Sequence, residues 1–396
     1  MAFATEKYLE KFRAELYQNV LPFWLEHSLD TEYGGYFNCL ARDGMVYDTT
    51  KHMWLQCRQV WMLSKLYNTV EKRPEWLEAA RLGYDFIAAH GRGPAGRVYF
   101  SLDRRGRPLF IQRKIFAECF YIIALAEYSR AVGEPAIREE ALRMFGRVLE
   151  WVQDPAPLGK PRLEGAPAVS ELAVPMIILS LVDEVAEDSE LPAYDPLVKK
   201  CLAEIGLHLR PELKLVLENV SPAGELLEGS LGRLVNPGHA IETGWFVLEQ
   251  AIKRNDPAAR QAALRMIDWS FEHGWDSEYG GFYYFLDSGG FPPVQLEWPM
   301  KLWWPHCEAA YAMLLAYKVT GEEKYAGRFE QVADYAFEHF SDPGHGEWFG
   351  YLDRQGRPTH SLKGGPYKGC FHVPRFLWLA IRLLEQTWGA EAGAED

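Results

Sequence analysis

Eight charged or titratable side chains recur at one depth in this sequence: Arg58, Glu118, Glu171, His239, Glu242, His306, Glu308 and His372 each fall near the start of a segment with helical periodicity. His239 and Glu242 stand three apart, so on a helix they share a face, and Trp245 follows three residues later along what reads as the same stripe. Asn236, Pro237 and Gly238 introduce that helix. A second cluster runs Lys301, Leu302, Trp303, Trp304, Pro305, His306, Cys307, Glu308. A third is a glycine-rich run from Gly364 through Gly369 that delivers His372 and Arg375.

Histidine changes charge near neutral pH. Two imidazoles on opposite walls of a cavity can therefore remove a proton from one face of a carbon and return one to the other. The carbon must adjoin a carbonyl for its C–H to be acidic, and the developing oxyanion needs a fixed positive charge, for which Arg58 is the candidate. Three other readings use the same residues. Imidazole and carboxylate are ordinary metal ligands, although H-E-x-x-H and any tight ligand spacing are absent. Glu118, Glu171, Glu242 and Glu308 could supply the acid and base of a glycoside hydrolase. The histidines could also be buried groups with satisfied hydrogen bonds and no chemistry. The G-x-G-x-x-G string Gly91 to Gly96 follows a helix rather than a strand and contains Pro94, so it reads as a loop; no phosphate-binding P-loop motif is present.

The elements that must position these groups repeat. Tyr33 to Phe37 with Asp43 and Gly44, Val98 to Phe100 with Asp103 and Gly106, Tyr279 to Tyr284 with Asp287 and Gly289, and Glu347 to Tyr351 with Asp353 and Gly356 share an aromatic pair followed by an Asp–Gly turn. Each reads as a short hairpin. The interval from Tyr36 to Tyr99 is 63 residues and from Tyr283 to Phe349 is 66, the signature of a repeat architecture. Between the hairpins, helical periodicity predicts helices near 5–27, 54–68, 75–90, 113–131, 135–153, 171–187, 194–209, 239–254, 257–273, 305–320, 322–340 and 371–389. Breakers such as Arg73-Pro74, Glu134-Pro135 and Asp256-Pro257 separate partners. Six helical hairpins of about 66 residues would fill the 396, giving an all-α, (α/α)6 barrel in one domain, 1–396, with short β-hairpins at one rim.

Hydrophobic residues make up 48% of the chain and charged residues 24%, which excludes a disordered or collagen-like chain. The net charge of −13 and the lack of a basic run argue against nucleic-acid and membrane partners. Fourteen tryptophans suit a cleft that stacks sugar rings as well as they suit a large core. The six cysteines lie far apart and read as reduced thiols. The N-terminus carries charges where a signal peptide needs an apolar stretch, so a cytoplasmic protein is expected.

At these motifs the sequence resembles the N-acylglucosamine 2-epimerase family, which also includes renin-binding protein. The cellobiose 2-epimerases and mannose isomerases are more distant. The matching stretches are Trp54 to Trp61, Gly232 to Glu242, Gln295 to Trp298 with Lys301 to Glu308, Gly346 to Tyr351, and Lys363 to Arg375. The resemblance implies an (α/α)6 barrel, a homodimer, and interconversion of N-acetyl-D-glucosamine and N-acetyl-D-mannosamine by proton transfer at C2 of the open-chain sugar, with no metal and no cofactor in the chemistry. On this chain it makes His239 and His372 the acid/base pair and Arg58 the oxyanion stabiliser. Glu308 is counted with them as catalytic; Glu308, Glu242 and His306 match pocket positions that would orient the imidazoles or hold sugar hydroxyls, and Trp245 and Trp304 would pack against the sugar ring. It also implies ATP as an activator bound without hydrolysis. Gly364, Gly365 and Gly369 are the candidates for holding it, although Pro366 removes one backbone donor. Two alternatives keep the barrel: an aldose–ketose isomerase or 2-epimerase of free mannose, glucose or a disaccharide, and a protein that only binds.

Overall fold

The computed structural model describes residues 5–161 and 163–392. Proline-led starts and left-handed stops delimit its helices. Pro74, Pro135 and Pro257 open α4 (Pro74–His90), α6 (Pro135–Gln153) and α11 (Pro257–Gly274). Asp256 caps α11 by accepting from the Ala258 and Ala259 N–H groups at 3.0 Å. Gly133 and Gly321, at φ 71° and 69°, end α5 (Phe116–Val132) and α12 (Trp303–Thr320), where a side chain would be strained.

The helices form an inner and an outer layer. α3 (Met53–Thr69), α5, α7 (Ala173–Val185), α10 (Pro237–Arg254), α12 and α14 (His372–Ala392) are inner; residues 303–316 of α12 are buried without a break. Their partners α4, α6, α8 (Asp195–Gly206), α11 and α13 (Glu323–His339) bury one stripe each. In α6 that stripe is Ile137, Ala141, Met144, Phe145, Val148 and Trp151. Each inner helix packs on the next in the order α3, α5, α7, α10, α12, α14. The sixth pair closes the ring, because α14 takes as its outer partner α1 (Thr5–Ala14) at the other end of the chain. This is the (α/α)6 barrel expected from the repeats. The predicted helix at 5–27 is interrupted: a π-helical turn, Glu15–Val20, separates α1 from α2 (Leu21–His27). The wide turn carries Glu15, whose carboxylate accepts from the Trp348 indole at 2.6 Å and the Ser341 hydroxyl at 3.1 Å. A five-residue helix, α9 (Gly229–Arg233), was not expected.

At one rim, two-residue antiparallel strands join successive pairs, with Lys51 opposite Leu102 and Lys301 opposite Leu352. The Asp–Gly turns repeat closely. Gly44, Gly106 and Gly356 have φ of 85°, 84° and 83°, and each lies against a histidine at the end of an outer helix, His27, His90 or His339.

One salt-bridge motif recurs three times. Asp30 binds Lys51 Nζ at 2.9 Å and Arg104 Nε at 3.0 Å. Asp276 binds Lys301 Nζ at 3.0 Å and Arg354 Nε at 2.9 Å. Asp342 binds Lys363 Nζ at 2.8 Å and Arg42 Nε at 2.7 Å. Each clamp joins an aspartate following an outer helix, a fully buried lysine preceding the next inner helix, and an arginine from the adjoining Asp–Gly turn. Such buried pairs hold only because each charge is matched. The third clamp ties the first turn of the ring to the last.

Candidate active site

At the hairpin rim the barrel axis opens into a cavity of about 610 Å³ walled by the first turns of the inner helices. His239 and Glu242 reach it from α10, Trp303 and Trp304 from α12, His372 and Arg375 from α14, and Trp54 and Arg58 from α3. The Trp304 ring lies between the two imidazoles, 5.4 Å from His239 and 5.9 Å from His372. A hollow of about 910 Å³ at the other end of the axis contains no histidine.

The two imidazoles sit in opposed electrostatic settings. His372 Nδ1 lies 2.7 Å from Glu308, but that carboxylate also holds Arg375 Nη2 at 2.7 Å, so its charge is already matched. Burial and then the Arg58 and Arg375 guanidinium groups push the His372 pKa well below 6.5. With Nδ1–H donated to Glu308, Nε2 carries a free lone pair at neutral pH. His239 Nδ1 lies 3.0 Å from Glu218. Burial lowers its pKa, but the Glu218 carboxylate outweighs burial and the net direction is upward. One imidazole is thus disposed to accept a proton and the other to give one.

Arg58 forms no ion pair among the described residues. Its guanidinium is stacked 4.6 Å from Trp54, 4.0 Å from Phe120 and 4.6 Å from Phe371, and its Nε has no hydrogen-bond partner. Burial, then Arg375, pulls its pKa down to about 9. An unneutralised cation in an apolar wall is what a developing oxyanion requires.

Two of the sequence-predicted site residues, His306 and Trp245, lie elsewhere. His306 is fully buried: its Nε2 accepts the Phe282 N–H at 2.9 Å and its Nδ1 donates to the Leu302 carbonyl at 2.6 Å. Burial drives its pKa to about 3, so it is a neutral structural imidazole and not a pocket residue. Gln56 and Glu118 occupy the same place in their repeats, accepting the Tyr36 and Val98 N–H groups. Trp245 lies behind the cavity wall, donating to Glu308 at 3.0 Å, and does not pack against a bound ring. At about 100° per residue, six residues carry Trp245 off the His239 face, whereas seven bring Phe246 back to it, and Phe246 does line the cavity. Of the two roles expected for Glu308, the structure favours orienting an imidazole over holding a sugar hydroxyl, since it touches His372 and Arg375 rather than the cavity.

The glycine-rich stretch does not fit a phosphate cradle. The Gly364 N–H donates to Leu40 and the Gly365 N–H to Lys368, while Gly369 sits against Leu55. A Cβ at Gly364 would lie 2.1 Å from the Asn38 carbonyl oxygen, so this glycine permits close packing of two backbones. A metal fits no better. Glu242, Glu308 and His372 offer ligand atoms within 4.8 Å of one another, but Arg375 Nη2 already bridges both carboxylates at 2.7 Å.

Sequence reasoning missed Glu218, Trp303 and the bridging role of Arg375. Glu218 lies between short strands, outside the helix-start register, and its second oxygen is unpartnered among the described residues, as is the Trp303 indole N–H. The register of a repeat can reveal only residues that repeat.

The family model for N-acylglucosamine 2-epimerase (GlcNAc 2-epimerase) matches residues 35–157 and 215–373. The chain is 48% identical to the N-acylglucosamine 2-epimerase of Bos taurus over 373 residues, covering 92% of this chain and 88% of that one. Its fold is similar to that of a cellobiose 2-epimerase from Spirochaeta thermophila, with a TM-score of 0.82, 21% identity and coverage of 97% and 98%. It is also similar to that of a D-mannose isomerase, with a TM-score of 0.79, 18% identity and coverage of 96% and 98%. With the matched segments supplying Arg58, Glu218, His239, Trp304 and His372 to one cavity and Glu308 behind His372, the chain belongs to the N-acylglucosamine 2-epimerase family.

Proposed function

We propose that the protein interconverts N-acetyl-D-glucosamine and N-acetyl-D-mannosamine by moving a proton at C2 of the open-chain aldehyde. The observation that carries this reading is the pair of imidazoles flanking Trp304 with opposed electrostatic bias. The ring form has no carbonyl beside C2, so the aldehyde is the reactive species. Neutral His372 accepts the C2 proton through Nε2, Arg58 stabilises the enolate oxygen, and the protonated His239 returns a proton to the opposite face. The reverse reaction exchanges the two roles. Glu308 and Glu218 hold the imidazoles by their Nδ1 atoms. The proton transfer needs no redox cofactor, metal or nucleotide. If ATP activates, it acts from a site other than the Gly364–Gly369 backbone. The family resemblance supports a homodimer. A cytoplasmic setting is supported by the six buried, unpaired cysteines. No helix among the described residues is long and apolar enough to cross a membrane.

Proton NMR of N-acetylmannosamine in deuterated water, with and without ATP, tests the proposal. The expected product is N-acetylglucosamine carrying deuterium at C2. Conversion of mannose to fructose, with N-acetylmannosamine unchanged, would replace it with an aldose–ketose isomerase. Replacing His372 by Asn should remove turnover by a factor of about 10³ or more while sugar binding persists.

A further inference from the structure

The circular order of the inner helices gives each sector of the cavity to one helix. α10 and α14 hold the imidazoles, α12 between them holds Trp304, and α3 holds Arg58. The remaining sector, α5 and α7, is different in kind. α5 presents Phe116, Phe120 and Ile123; α7 presents Ala173, Met176, Ile177 and Ser180, a stripe at i, i+3, i+4 and i+7 that faces one way. Neither helix brings an ionisable side chain into this wall. Lys114 and Glu171, just before the two helices, stand at its mouth.

In an N-acyl hexosamine the reacting C2 carries the proton, the aldehyde carbon, C3 and the acylamino group. The proton faces the imidazoles and the aldehyde oxygen faces Arg58, which leaves the acylamino group to project toward the sector those groups do not occupy. Resting on the reaction proposed above, we propose that the α5–α7 wall is the acyl subsite, with Met176 and Ile177 setting the length of acyl chain accepted. The acyl carbons pack on these apolar side chains, while Lys114, Glu171 and Ser180 are the polar groups available to the amide. A hydroxyl at C2 has no carbons with which to cover these apolar side chains, which favours acylated over free sugars. Every group assigned to proton transfer, from Arg58 to His372, lies within the two segments matched by the family model, whereas α7 lies wholly in the unmatched interval between them. The α7 half of the wall, with Met176 and Ile177, is thus separate in sequence from the proton-transfer groups, whereas α5 lies within the first matched segment and its Phe120 packs on Arg58.

The test compares kcat/KM for N-acetyl-, N-propanoyl- and N-butanoylmannosamine in the wild type, Met176→Ala and Ile177→Phe. One methylene in an apolar pocket is worth roughly tenfold or more. The butanoyl-to-acetyl ratio is expected to rise about tenfold in Met176→Ala and to fall about tenfold in Ile177→Phe. Because each ratio is taken within one preparation, a smaller folded fraction cancels. Ratios within about twofold of wild type in both variants would overturn the acyl subsite. Deuterium incorporation at C2 by the wild type is scored separately. Its absence with all three sugars would overturn the reaction reading, and the subsite with it.

Discussion

The rim over α3, α12 and α14 and the rim over α5, α7 and α10 derive from one repeat yet are held together by different means. The first carries the three Asp–Lys–Arg clamps, built on lysines with no exposure. The second has no such clamp among the described residues. Its hairpin positions hold Arg97 against Glu118, Arg233 against Asp287, and segments at 159–161, 163–169 and 221–228 without helix or strand. The clamped side supplies Arg58, Trp304 and His372, whose side chain is 8% exposed; the other supplies His239, 29% exposed, with Glu218 and Lys114. A barrel can thus pin one wall of a site with buried charge and leave the wall that carries the more exposed imidazole without such clamps.

The largest expected effect comes from breaking a clamp. Asp276→Ala leaves Lys301 buried without its carboxylate and should cost about 3–5 kcal/mol by urea unfolding. Glu171→Ala on the other rim, facing a mostly exposed Lys160, should cost less than about 1 kcal/mol. Equal losses would erase the distinction.

Acid should also weaken the clamped side through His306. Its folded pKa, about 3, lies below the ordinary value of 6.5, so as pH falls through 6.5 the unfolded chain takes a proton that the native state refuses. Stability should decline by roughly 3 kcal/mol between pH 6.5 and 4 from this group, and His306→Gln should flatten that slope. His239, shifted upward, acts in the opposite sense: its contribution is present below pH 6.5 and is lost as pH rises through its folded value.

Gly364→Ala, which drives a methyl into the Asn38 carbonyl beside the third clamp, should cost about 1–3 kcal/mol and leave the turnover of folded protein unchanged, with ATP or without. Glu218→Gln sharpens the comparison from the other side, with little change in stability but about a tenfold fall in kcat. Losing the carboxylate lowers the His239 pKa, so the alkaline limb of the pH–rate profile in the direction that uses protonated His239 should move to lower pH. A fall in kcat without that shift would make Glu218 merely structural.

The repeat was legible in the sequence because its turns need glycine and its helices need proline and polar caps, which are local requirements visible at fixed intervals. The same periodicity drew attention to Arg58, His239 and His372. It also misled, since the first-turn position that yields a hydrogen-bond acceptor for a hairpin N–H is filled in turn by Gln56, Glu118 and His306. A side chain recurring at one depth can serve the repeat rather than the cavity. Glu218 and the guanidinium of Arg375 become meaningful only when distant segments meet, and one sequence alone contains no distances.

The pairing of α14 with α1 has a consequence for synthesis. A chain emerging N-terminus first presents the apolar face of α1, with Tyr8, Leu9 and Phe12, hundreds of residues before its partner α14 exists. Ring closure is the most non-local contact in the molecule, the kind that forms late and leaves nascent chains prone to aggregation. The helix that completes the circle also begins with His372. A ribosome-bound chain thus gains the base of its proton-transfer pair only in the step that seals the barrel.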